Sequence, residues 1–112
     1  MENNIPVADL SLLRGYAETP EDMKEFIDVF IAEGARLITI LTENCVEGEC
    51  VTWTEAAHTL KGCSGMIGAH NLAALSKQAQ DMKGVSSAER TAMLQTIQPE
   101  YMKVKEYLLS QI

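Results

Sequence analysis

From Met23 to Cys45 the apolar positions Met23, Phe26, Ile27, Phe30, Ile31, Leu37, Ile38, Leu41 and Cys45 recur at helical spacing. At about 100° per residue they cover about 140° of a helix, which predicts one long, core-facing element. Thr19-Pro20-Glu21-Asp22 punctuates its start with an N-cap, a proline at the first helical position and acids in the first turn. Asn44 to Glu49, with Gly48, forms the predicted connection. Thr52-Trp53-Thr54-Glu55 then reads as a capping box opening the next helix, which Gly68 is placed to end and after which Asn71 can cap another. That helix turns Leu72, Leu75, Ala79 and Met82 inward and is expected to stop at Gly84. A second capping box, Ser86-Ser87-Ala88-Glu89, leads into a face of Leu94, Ile97, Tyr101, Val104 and Leu108. Pro99 lies inside this last segment and predicts a kink near Gln95 to Gln98, with a restart of the helix as the stronger form of the same disruption. Ahead of all these, Asp9 to Tyr16 can form a short helix that exposes part of its Leu10, Leu12 and Leu13 side.

Four amphipathic segments joined by short loops bury their stripes best as an antiparallel up-down-up-down four-helix bundle, here with a short extra N-terminal helix. No alternating strand pattern, internal repeat or low-complexity stretch competes, so the fold class is all-α.

Composition narrows the function. At 112 residues the chain, 1–112, is one domain with a single core and no room for a kinase or ATPase module beside it. Its apolar runs fall far short of the ~18 residues of a membrane span, and Met1 to Asp9 lacks the basic start and hydrophobic stretch of a signal peptide. A cytoplasmic protein is expected. Cys45, Cys50 and Cys63 are odd in number and lack paired zinc-site spacing, so they read as reduced and structural, with no metal site. A net charge of -7 without a basic cluster makes nucleic acid and anionic membrane poor partners.

Helical stepping from Thr52 to Ile67 puts Trp53, Ala56, Ala57, Leu60, Cys63, Ser64 and Ile67 on one side and His58, Lys61, Gly62 and Gly65 on the other. His58 therefore points away from the core. Each glycine inside a helix costs about 1 kcal/mol relative to alanine, so two beside one imidazole suggest cleared space for an approaching reactant. Lys61, one turn on, supplies a positive charge able to bond an anion attached to the ring. A neutral imidazole is a competent nucleophile near pH 7, and the combination suits a phosphoryl group.

The run Ala57-His58-Thr59-Leu60-Lys61-Gly62-Cys63-Ser64, followed by Ile67-Gly68 and Leu72, resembles the histidine-containing phosphotransfer (HPt) domains of bacterial and eukaryotic phosphorelays. The resemblance spans nearly the whole chain. It implies a four-helix bundle with an extra N-terminal helix, usually a monomer, whose partners are receiver domains of hybrid histidine kinases and response regulators. His58 would be the phosphoryl acceptor, through Nε2, with Lys61 steadying the phosphoryl oxygens and Gly62 keeping the approach open, while Gly65 counts with Leu10 and Leu13 toward partner docking. The receiver would supply the aspartyl phosphate and Mg²⁺. Gln80, twenty-two residues past His58, matches a position where some relatives carry a glutamine that hydrogen-bonds at this site; it is otherwise an ordinary exposed glutamine. Lys83 and Gly84 stand where some relatives carry a further basic residue, so a second phosphoryl clamp is in doubt. Leu10 and Leu13 match a region on which receivers dock in relatives, and serve equally as a lid on the core.

Two other readings compete. A non-catalytic module would bind receivers or kinases without being phosphorylated. The histidine-bearing domain of a chemotaxis-type kinase would continue into dimerisation and ATP-binding domains. His70, the other histidine, lacks the lysine and glycine arrangement and reads as a surface residue.

Overall fold

A computed structural model of the protein describes residues 7–112. Residues 1–6, part of the segment read as lacking a signal peptide, lie outside the described residues. The described residues form five α-helices and no strand: α1 (Ser11–Tyr16), α2 (Pro20–Glu43), α3 (Val51–Met66), α4 (His70–Gln80) and α5 (Ser87–Leu109). α2 packs on α3, α3 on α4, α4 on α5, and α5 returns to α2, while α1 lies against α2. Ile27, Leu37, Leu41, Trp53, Leu60, Leu72, Ile97 and Leu108 fill the space between them.

The start of α2 forms as its residues predict. Thr19 Oγ1 accepts from the Asp22 amide at 3.0 Å, with Pro20 at the first helical position. Ser86 and Glu89 likewise close a reciprocal capping box on α5.

The other predicted boundaries shift. α3 begins at Val51 behind Cys50, with no side-chain cap, so Thr52 and Glu55 lie inside the helix and make no capping box. The start is held from the other side. Trp53 is fully buried, its indole N–H donates to the Ala79 carbonyl at 2.8 Å, and the Arg90 guanidinium lies 5.5 Å from its ring centroid.

Gly68 ends α3 as expected, at φ +76°. The Gly68 amide donates to Gly65 O at 3.1 Å and the Ala69 amide to Ser64 O at 2.8 Å, the paired bonds of a Schellman motif. Because Ala69 is both the last residue of that motif and the N-cap of α4, Asn71 falls within α4 and caps nothing. The far end of α4 is reached at Gln80, short of Gly84, which sits in the following connection at φ +60°. There Gly48 N donates to Val85 O at 2.8 Å, tying the α2–α3 connection to the α4–α5 connection. Arg90 adds a bond to the Val46 carbonyl.

Pro99 does not restart α5, which runs through it as one helix. The ring removes the amide that would bond Gln95 O. Gln95 and Pro99 are both exposed, while Ile97 and Tyr101 anchor the inner face on either side.

Candidate functional site

α3 carries the candidate site. Trp53, Ala56, Ala57, Leu60, Ser64 and Ile67 are buried, whereas His58, Gly62 and Gly65 are exposed and Lys61 is half-buried. A Cβ built on Gly62 or Gly65 would meet no atom within 4 Å, so the backbone beside His58 is bare to solvent. Cys63 departs from the expected stripe: it is only half-buried, because α3's partner α2 leaves a groove at that point. Burial first, and then the nearby Glu33 carboxylate, push the Cys63 thiol up from its ordinary value. A thiol so held stays protonated near neutral pH and is a poor nucleophile.

Lys61 makes no ion pair among the described residues. Its charge nevertheless reaches Asp81, the C-cap of α4, whose carboxyl is held low chiefly by its hydrogen bond to Lys77, with smaller contributions from Lys83 and Lys61. Gln80 stands at the end of α4, half-buried, with its Oε1 enclosed and without a hydrogen-bond partner among the described residues. A glutamine on an exposed face would have had water for that oxygen. His70 is exposed at the first position of α4, and its charged neighbour is Asp9 at the opposite corner of the α3–α4 pair.

Leu10 and Leu13 require a correction. Both are buried, at 3% and 4% exposure, and pack into the core as a lid, although Leu13 also lines the groove between α2 and α3. The apolar surface on α1 is instead Leu12 and Tyr16, at 49% and 58%. Phe26 and Val29 of α2 and Met66 of α3 are exposed as well. Between α2 and α3 lies an apolar groove of about 190 Å³, lined by Phe26, Val29, Phe30, Cys63 and Met66, with Glu33 at its rim. The helical period of α2 predicts Phe26 on the core face, yet it is exposed. Its place at the edge of the α2 stripe, with Val29 beyond it, was the available signal. Arg90 is fully buried with no carboxylate partner among the described residues, although an arginine in a first helical turn ordinarily reads as solvated.

Compared with known families, residues 25–108 match the Hpt domain. The chain belongs to the Hpt domain family. No curated protein and no solved structure matches it. Hpt domains carry out histidine phosphotransfer in phosphorelays and interact there with receiver domains. In this Hpt domain the matched span begins inside α2 and ends inside α5, so it includes His58, Lys61, Gly62 and Gln80, while α1 lies ahead of it. No described helix is long and apolar enough to cross a membrane, and the described residues contain no grouping of three or more His, Cys, Asp or Glu able to hold a metal.

Proposed function

We propose that this Hpt domain is a phosphorelay intermediary in which His58 accepts a phosphoryl group from the aspartyl phosphate of one receiver domain and delivers it to the aspartate of another. The supporting observation is an exposed imidazole on α3 with bare backbone at Gly62 and Gly65 and, one turn away, a Lys61 that makes no ion pair among the described residues. In the accepting step the Nε2–P bond forms as the P–O bond to the receiver's aspartate breaks, and the electron pair of that bond returns to the carboxylate. Lys61 donates to the phosphoryl oxygens, and Gln80, at the end of α4, orients the phosphorylated ring. Phosphoryl transfer is mainly a matter of alignment and charge neutralisation. Mg²⁺ belongs to the receiver's acidic site in this reading. The receiver docks over Leu12, Tyr16, Phe26, Val29 and Met66.

The chain acts as one domain and a monomer in the cytoplasm, built as an antiparallel up-down-up-down bundle. Two cross-links support that arrangement: Trp53 in the first turn of α3 bonds Ala79 in the last turn of α4, and Arg90 near the start of α5 bonds Val46 just past the end of α2.

The deciding experiment is His58→Gln mixed with a phosphorylated receiver and Mg²⁺, with phosphohistidine read by mass spectrometry under alkaline conditions. The variant folds, since the side chain lies outside the core, and takes up no label. Undiminished labelling of it would overturn the assignment.

A further inference from the structure

The charge of the molecule is unevenly placed. Residues 7–33 hold seven acids, Asp9, Glu18, Glu21, Asp22, Glu25, Asp28 and Glu33, against Arg14 and Lys24, which is a net -5 out of the chain's -7. Residues 51–85, which include the whole of α3 and α4, hold Glu55 and Asp81 against Lys61, Lys77 and Lys83, a net +1. Some of the acids are committed locally. Asp28 pairs with Lys24 at 2.7 Å and Glu33 with Arg36 at 2.6 Å. Glu18 and Glu25 are exposed and make no ion pair among the described residues.

These acids border the apolar face. Glu25 adjoins Phe26, Asp22 stands one turn before it, and Glu33 forms the groove rim one turn after Val29. Glu18 follows Tyr16 in the link from α1 to α2. One exposed charge contributes little in water, but several of one sign produce a summed potential that steers encounter, and like charges brought together are strongly disfavoured.

We infer that the acidic rim of α1 and the first half of α2 selects the partner: it takes receiver domains whose contact surface has an apolar centre fringed by Lys and Arg, and rejects those with an acidic fringe. This rests on the phosphotransfer reading for the identity of the partner. The apolar centre supplies contact area, and the rim sets the association rate and the choice between receivers. A second copy of this chain is a poor occupant, because the same rim would meet itself.

The test uses two purified receiver domains, one with a basic and one with an acidic surface beside its active-site aspartate, each phosphorylated with phosphoramidate and Mg²⁺. Transfer to His58 and binding of the unphosphorylated receivers are measured from low to high salt, for the full chain and for the double variant Glu18→Lys, Glu25→Lys. Both positions are exposed, and circular dichroism checks the fold. The basic receiver is expected to associate at least about tenfold faster than the acidic one at low salt, to lose most of that advantage at high salt, and to lose it again in the double variant. A preference that differs by less than about twofold between wild type and double variant, or no binding of either receiver, would overturn the inference. Charge-dependent binding without any label on His58 would uphold the surface and remove the transfer reading instead. Dimerisation of the chain that Phe26→Glu abolishes would assign the face to a second copy and also overturn it.

Discussion

Gly62 and Gly65 lie on the outer face of α3, and Gly34 and Gly68 lie where segments of the chain meet. A Cβ on either of the first two would touch nothing, whereas one on Gly34 would collide with the Tyr101 ring and one on Gly68 with the backbone of Asp9. Gly68 also sits at φ +76° and accepts the Asp9 amide at 2.9 Å, which fixes the segment leading into α1 on the corner between α3 and α4. The residue type is the same and the physical role opposite. At Gly34 and Gly68 the missing side chain admits a neighbour and adds packing. At Gly62 and Gly65 it admits nothing from this chain, costs helix stability and leaves room beside His58.

Substitutions to alanine at these positions separate the two roles. Gly68→Ala should be the most damaging, since it combines a left-handed backbone with a clash against Asp9; a loss of about 3 kcal/mol in urea denaturation is expected, with α1 becoming accessible to protease. Stability within about 0.5 kcal/mol of wild type would dissolve the distinction. Gly34→Ala forces the Tyr101 ring to shift, disturbing its packing with Phe30, 6.2 Å between centroids, and straining its hydroxyl bond to Ile31 O. Overpacking of this kind costs about 1–3 kcal/mol. Gly62→Ala and Gly65→Ala should go the other way, each raising stability by about 0.5–1 kcal/mol while slowing phosphoryl transfer from a receiver. Faster transfer with either variant would show that the bare backbone has no role in access.

The smallest effect expected is electrostatic. Glu89 is held below its ordinary value by its bonds to the Ser86 amide and hydroxyl. A folded-state value depressed in this way gives stability that is present above the unfolded value, near 4, and lost as pH falls through the lower folded one. Glu89→Gln should therefore lie below wild type near neutral pH and converge with it on acidification, seen as urea midpoints against pH. A gap that widens toward acid would contradict the capping geometry.

Much of the fold was legible because local rules carried it. The apolar period of α2, the Thr19-Pro20 start, the Ser86–Glu89 box and the left-handed Gly68 each depend on a few consecutive residues. Thr52–Glu55 matched a capping pattern equally well and failed, since the buried Trp53 and its bond to Ala79 set where α3 begins. Asn71 failed because the motif around Gly68 had already turned the chain into α4. Pro99 predicts a kink or a restart, yet α5 runs through it as one helix, with Ile97 and Tyr101 buried on either side.

The same division runs through the site. The sequence by itself determined that His58 faces out with Lys61, Gly62 and Gly65 beside it, because helical stepping relates neighbours three and four apart without reference to the rest of the chain. Only the tertiary structure decided that Leu10 and Leu13 close the core while Leu12, Tyr16, Phe26, Val29 and Met66 stay exposed, that Gln80 has an enclosed oxygen, and that Arg90 is buried over Trp53. Exposure depends on which distant elements come to lie against a residue, and periodicity along one helix does not contain that information.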